Sequence, residues 1–172
     1  MASLVSLPMA VFVGDEDAQL VAGDVASSPA NIQSSRMWWT FDATNEEAIV
    51  SGAFKMPTQY TGSGLKIVIE GFFPVENVAA ETATIDVFLE AITAADAIDM
   101  EAAASWATAN QGDVVPNTTT GRPVTLTITL TNADSVAVGD QVRIGIRRDT
   151  DDGDDTATGD FCLTSAELQD DG

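Results

Sequence analysis

Strict alternation of apolar and polar residues in several short windows is the feature that most constrains the fold of this chain. In the clearest window, residues 124–131, valine, leucine or isoleucine occupies every second position and threonine fills the positions between. An extended strand places these two sets on opposite faces, whereas a helix would scatter the apolar side chains around its circumference. Because β-branched residues also favour extended backbone, we predict a β-strand over residues 124–131.

The same alternation recurs along the chain, and turn residues separate the windows. Further strands are predicted at residues 65–69, 85–91 and 142–147, with weaker candidates at 37–41, 48–56 and 161–168. Glycine, proline, asparagine and aspartate collect in the intervals 57–64, 117–123, 132–140 and 149–160. Short strands with turns between them and no recurrent helix predict an all-β fold, an antiparallel β-sandwich or jelly roll.

Two segments depart from this rhythm. Residues 94–109 are rich in alanine, methionine and glutamate, which favour helix, so we expect one short helical or irregular insert there. The first 35 residues lack sustained periodicity, and the chain of 172 residues fits one domain. We therefore predict an extended N-terminal arm at 1–35 and a β-sandwich domain at 36–172. A disordered terminus or an edge strand within residues 3–13 are the alternatives for the arm.

The charge of the chain excludes several function classes. There are 27 acidic and 7 basic residues and no histidine, giving a formal net charge of −20. Nucleic acid would be repelled, and histidine-based catalysis or metal ligation is impossible. Hydrophobic residues make up 45% of the chain, which is enough for a folded core. We expect no membrane span and no signal peptide, because no apolar run is long enough and no lysine or arginine precedes the apolar residues 1–13.

No residue stands out as catalytic. In the absence of histidine the candidate bases are Lys55, Lys66 or a carboxylate, and both lysines are predicted to point outward into solvent. Cys162 is the single cysteine, and no basic residue follows it to lower the pKa of its thiol, so we predict a half-buried and unreactive side chain. Glu46 and Glu47 are interpreted as solvated loop residues. We predict a protein that is not an enzyme.

Two further features invite a binding hypothesis. Aspartates at positions 149, 151, 152, 154 and 155 could collect a calcium ion, but the spacing is not that of an EF-hand, since glycine falls at the fifth place of the loop and not the sixth. A solvated loop is favoured over a nonstandard Ca²⁺ site. Gly62 and Gly64 lack the rest of a phosphate-binding loop and are interpreted as a turn. We predict no resident metal or cofactor.

The adjacent tryptophans fall on opposite faces of a predicted strand. Trp39 shares a face with Met37 and Phe41, which predicts core packing. Trp38 lies on the other face and is the candidate anchor of an interface.

Three segments carry a family resemblance: FDATNEEAIVSGAFKMPTQYTGSGLKIVI (41–69), NADSVAVGDQVRIGIRRD (132–149) and DDGDDTATGDFCLTSAEL (151–168). They resemble small virion-associated β-sandwich proteins of tailed bacteriophages and prophages, although residues 72–113 depart from that pattern. The resemblance implies a capsid decoration (cement) protein that binds the major capsid protein and itself on the outer capsid surface of the virion, after assembly in the host cytoplasm. It carries over no catalytic residue.

Two other functions compete with this one. The first is a carbohydrate- or receptor-binding β-sandwich on a tail or head fibre, with Trp38 or Tyr60 stacking on a sugar ring. The second is an acidic DNA mimic. It is disfavoured because the acids cluster in predicted loops, whereas a mimic needs them in a helical stripe.

Overall fold

The computed structural model describes residues 2–9, 12–14, 19–22, 37–75, 81–93, 96 and 105–172. Within these ranges the chain forms twelve β-strands and no α-helix. In chain order they are β1 Ala2–Leu7, β2 Phe12–Gly14, β3 Gln19–Ala22, β4 Met37–Phe41, β5 Glu47–Ser51, β6 Phe54–Lys55, β7 Leu65–Phe72, β8 Ala83–Ile92, β9 Asn110–Val114, β10 Val124–Thr129, β11 Gln141–Arg148 and β12 Phe161–Asp170.

The strands form two antiparallel sheets packed face to face. The first sheet has the order β10-β7-β12-β4-β3, with β1 also paired to β12. The second has the order β2-β5-β11-β8-β9, with β6 also paired to β11. Buried side chains from both sheets, including Phe41, Ile67, Ile144 and Phe161, form one apolar core. The predicted all-β sandwich is confirmed.

The alternation predicted the strands because each has one face on this core. All four clear windows coincide with strands β7, β8, β10 and β11, and the weaker windows contain β4, β5, β6 and β12. The window at 48–56 is not one strand, because β5 ends at Ser51 and β6 begins at Phe54. In β10, residues alternate between buried leucine or isoleucine and exposed threonine.

The described part of residues 1–35 belongs to the sandwich. Strand β1 pairs with β12, β2 with β5, and β3 with β4. The edge-strand alternative for residues 3–13 is therefore found, and these stretches are not free of the body as an arm would be. They add strands to both sheets, because the edges of β12, β5 and β4 offer unpaired backbone groups. Residues 23–36 lie outside the described ranges, and the domain boundary at residue 35 stays a prediction.

The predicted insert at 94–109 is described only at residues 96 and 105–109. Residues 105–109 are irregular, and the backbone N–H of Ala107 donates to the carbonyl of Leu89 at 3.1 Å. A helix at 97–104 would fall outside the described residues. Within the part of the chain that the structure describes, there is no helix long and apolar enough to cross a bilayer.

Candidate functional site

A cavity of about 600 Å³ opens on the outer face of the first sheet. We call it the first-sheet cavity. It is lined by Met37, Trp38, Glu70, Gly71, Phe72, Gly121, Pro123 and Thr164. These residues come from β4, β7 and β12 and from the loop that precedes β10. Segments far apart in the sequence therefore meet at one place on the sheet surface.

An aromatic pair forms one side of the first-sheet cavity. Trp38 and Phe72 alternate with residues that face the core, so both project outward from neighbouring parts of the sheet. Their ring centroids are 5.3 Å apart and the ring planes are at 81°, an edge-to-face arrangement that aromatic quadrupoles favour. Phe72 thus holds the indole of Trp38 at the cavity, where Trp38 is only half-buried.

The position of Trp38 matches its sequence prediction. Trp39, its neighbour, is buried in the core, and its indole nitrogen donates to the carbonyl of Met9 at 3.0 Å. That hydrogen bond satisfies the one polar atom of a buried tryptophan. The prediction that Trp39 packs inside and Trp38 faces outward is confirmed.

Polar groups lie beside the aromatic pair. The carboxylate of Glu70 is exposed and accepts one hydrogen bond, from the hydroxyl of Ser165 at 3.3 Å. A register shift in β12 between Leu163 and Ser165 displaces Thr164, whose hydroxyl donates to the backbone carbonyl of Glu70 at 3.0 Å. Bulges of this kind re-aim side chains and are frequent next to binding sites. Among the described residues no second donor reaches this carboxylate, which leaves it further acceptor positions.

Two glycines shape the floor and wall of the first-sheet cavity. A Cβ on Gly71 would lie 2.4 Å from the ring of Phe161, so only glycine lets β7 cross this core residue. Gly121 has a φ of +72°, a left-handed conformation that favours glycine, and its N–H donates to the carbonyl of Phe73 at 2.8 Å. This bond fastens the wall loop to the end of β7.

The outer face of the second sheet is different, because two of its aromatic rings each carry a guanidinium. The guanidinium of Arg143 lies 5.7 Å from the ring centroid of Trp106 and pairs with Glu90. Arg147 lies 5.5 Å from the ring of Phe88 and forms ion pairs with acids at 46, 86 and 149. A ring face that carries a guanidinium is not available for stacking, so Trp106 and Phe88 each have one face occupied. Trp38 on the first sheet has an edge-to-face contact with Phe72 and no guanidinium contact among the described residues.

The structure corrects the predicted placement of Lys66 and Tyr60. Lys66 was expected in solvent, yet it is 6% exposed and its ammonium lies 3.3 Å from the carboxylate of Asp171. Tyr60, a candidate for stacking on sugar, is 9% exposed and belongs to the core. Both errors have the same cause: neighbouring segments cover these side chains, which local alternation cannot reveal. Lys55 is exposed, as predicted.

The remaining catalytic candidates are structural. Glu47 was expected to be solvated, but it is buried and its carboxylate accepts the N–H of Asp42 at 2.8 Å; Glu46 is exposed, as predicted. Cys162 is more buried than expected, at 2% exposure. Burial raises the pKa of its thiol to about 11, which keeps it protonated near neutral pH.

Two aspartates of the 149–160 loop, Asp152 and Asp155, have separate protein partners. Arg148 is fully buried and holds both carboxylate oxygens of Asp155, at 2.8 and 2.7 Å. The same guanidinium donates to the carbonyls of Ala157 and Gly159. Asp152 accepts hydrogen bonds from Gln111 and from the backbone of the loop. No group of three or more metal-binding side chains occurs in the part of the chain that the structure describes.

No protein-family model and no curated protein sequence matches this chain. Its fold is similar to that of the C-terminal family 22 carbohydrate-binding module of Clostridium thermocellum xylanase 10B, with a TM-score of 0.51 and 11% identity over 99% of this chain and 95% of that one. It is also similar to the N-terminal carbohydrate-binding and glycoside hydrolase modules of the same xylanase complexed with xylohexaose, with a TM-score of 0.50 and 14% identity. The chain spans 29% of that two-module protein. At these identities the likeness shows the fold, an antiparallel β-sandwich.

Proposed function

We propose that this protein is a non-catalytic carbohydrate-binding β-sandwich that holds a glycan chain in the first-sheet cavity. The observation that carries the proposal is the open indole of Trp38, fixed edge-to-face on Phe72 beside the carboxylate of Glu70. A sugar ring has an apolar face of C–H groups that packs on an aromatic ring, and hydroxyls at its rim that donate to a carboxylate. The cavity offers both kinds of partner side by side.

The size of the cavity supports the same proposal. About 600 Å³ is within the ordinary range for sites that bind small molecules, which are mostly apolar with a few placed polar groups. The structural likeness to carbohydrate-binding modules supports a sandwich that can present such a surface. The chemistry is argued from Trp38, Glu70 and Phe72 of this chain.

A binding role also fits better than hydrolysis. Most glycosidases need two carboxyl groups on opposite sides of the bond that is cleaved. Among the described residues that line the first-sheet cavity, Glu70 is the one carboxylate. A single exposed carboxylate can accept hydroxyl groups, but it lacks the second acid or base that the reaction requires.

The test replaces Trp38 and compares it with a tryptophan on the other sheet. Binding of wild type, Trp38→Ala and Trp106→Ala is measured on a panel of polysaccharides by affinity electrophoresis and then by calorimetry. Loss of a central aromatic anchor costs about 2 kcal/mol, or roughly a thirtyfold loss of affinity. We expect that loss for Trp38→Ala and less than a threefold change for Trp106→Ala. Failure of the wild-type chain to bind any glycan would refute the proposal.

Capsid decoration, binding to the major capsid protein, self-association and a virion location stay predictions of the sequence resemblance. Glycan binding is compatible with a place on a tail or head fibre, which was the alternative to capsid decoration. Mass spectrometry of purified particles distinguishes a decoration protein from a tail or fibre part. Hundreds of copies per particle would support decoration, a handful would support a tail or fibre part, and absence from particles would refute both.

A further inference from the structure

We infer that the first-sheet cavity selects uncharged glycans and rejects those that carry carboxylates, and that Glu70 is the residue that determines this specificity. The inference rests on the proposed function, because it concerns the ligand class of the same site. It follows from the placement of one acid and from where the cations of the chain lie.

Glu70 occupies the middle of the binding surface. In the first sheet its register partners are Thr125 on β10 and Ser165 on β12, and Phe72 follows two residues later on the same face. A sugar that stacks on Trp38 therefore brings its rim within reach of this carboxylate. A hydroxyl would donate a charge-assisted hydrogen bond, whereas a uronate carboxylate would meet a like charge with no proton to share.

The described lining of the first-sheet cavity holds no cation that offsets Glu70. Among the residues that the structure describes, neither lysine nor arginine lines this cavity. Lys66 lies on the same strand, but its ammonium is paired with Asp171. Arg122 stands between two wall residues, Gly121 and Pro123, without being part of the lining. A bound uronate would thus gain no ion pair from the described residues that line the cavity.

The charge of the whole chain acts in the same direction but over a longer range. A net charge of −20 repels an anionic polymer and slows its association, and added salt screens this term. The contact between Glu70 and a carboxylate is short and is screened much less. The two contributions can therefore be separated by a substitution that changes the net charge equally at a different place.

Glu167 provides that matched control. It is opposite Val68 in the register of the same sheet, and its carboxylate accepts a hydrogen bond from Gln169 at 3.1 Å. It is not one of the cavity-lining residues. Glu70→Gln and Glu167→Gln remove the same charge from the same strand pair, but only the first changes the site.

The experiment compares polymers that share a backbone and differ in charge. The pairs are hydroxyethyl and carboxymethyl cellulose, arabinoxylan and glucuronoxylan, and galactomannan before and after oxidation of C6 to the carboxylate. Affinities of wild type and both variants are measured at low and at physiological salt. We expect the wild type to bind the neutral member at least tenfold more tightly, Glu70→Gln to reduce that ratio below threefold, and Glu167→Gln to leave it unchanged.

The outcomes distinguish the two proposals. Equal affinity of the wild type for neutral and carboxylated partners, or an unchanged ratio in Glu70→Gln, overturns the specificity inference and leaves glycan binding intact. A ratio that falls equally in both variants assigns the selectivity to net charge and also overturns the role of Glu70. If the wild-type chain binds none of the six polymers and none of the wider panel, the proposed function itself fails.

Discussion

Removing the guanidinium of Arg148 should destabilise this protein more than any surface substitution. Arg148 is 0% exposed and makes four hydrogen bonds, two to the carboxylate of Asp155 and two to backbone carbonyls of the loop before β12. Arg148→Met keeps much of the aliphatic bulk but leaves Asp155, whose side chain is 3% exposed, without its counter-charge. Breaking a buried pair in this way costs about 3–5 kcal/mol, because the remaining charge stays desolvated.

That cost is a large part of the stability of a domain. Unfolding free energies are about 5–15 kcal/mol, and for a chain of this size each kcal/mol moves the Tm by about 2–4 °C. We therefore expect the Tm of Arg148→Met to fall by roughly 6–20 °C. Urea unfolding followed by tryptophan fluorescence gives the free energy directly, and Arg122→Met, at an exposed arginine, should change it by less than about 0.5 kcal/mol.

A double mutant tests the reason for the loss. Asp155→Asn removes the charge but keeps an oxygen for the backbone N–H of Thr84, which the carboxylate accepts at 3.0 Å. If the uncompensated charge causes the instability, Arg148→Met with Asp155→Asn should be more stable than Arg148→Met alone by at least about 1 kcal/mol. A single-mutant cost below 1 kcal/mol, or strictly additive losses, would refute this account of the loop.

Two other predictions follow from burial. Cys162 should resist thiol reagents at pH 8 in the native protein and react after unfolding in urea, and rapid labelling of the native protein at pH 8 would contradict this. Because the fold raises the pKa of the thiol to about 11, the free energy of unfolding should not depend on this group below pH 8.5. It should fall as the pH rises from there toward 11, since the unfolded chain ionises first. Gly71→Ala should lower the free energy of unfolding, measured in urea, by about 1–3 kcal/mol, because the new Cβ would collide with the ring of Phe161. Gly153→Ala serves as the control, because a Cβ at Gly153 would have no atom within 4 Å. Equal stabilities of the two variants would contradict the packing argument.

Most of the sandwich was predictable because each strand has one face on the core. The alternation at residues 124–131 and 142–147 depends on a local property, namely which side chains of a strand face the core. The structure confirms a strand in both windows. An edge strand within residues 3–13 was only the alternative to an arm, and β3 was not predicted. Their pairing depends on distant partners, such as Ala2 opposite Asp170, and short edge strands need no long alternating pattern.

The proposed binding surface was predictable only in part, for a related reason. Local alternation correctly turned Trp38 away from the core. It could not show that β12 lies between β4 and β7, which brings Trp38 and Phe72 within ring contact. Nor could it show the bulge that displaces Thr164 or the loop that brings Gly121 to the wall. These features come from strand order and register, which long-range contacts set.

The basic residues connect the stability of this protein to its surface. The chain has 7 of them, and four of those that the structure describes, Lys66, Arg143, Arg147 and Arg148, are paired with acids. The three arginines all lie on β11, where they cover the second sheet and hold the 149–160 loop. Cations used in this way are not available at the first-sheet cavity, where Glu70 stays exposed beside open aromatic rings. The arrangement that stabilises one sheet thus leaves the other with the surface that we propose for neutral, hydroxyl-rich ligands.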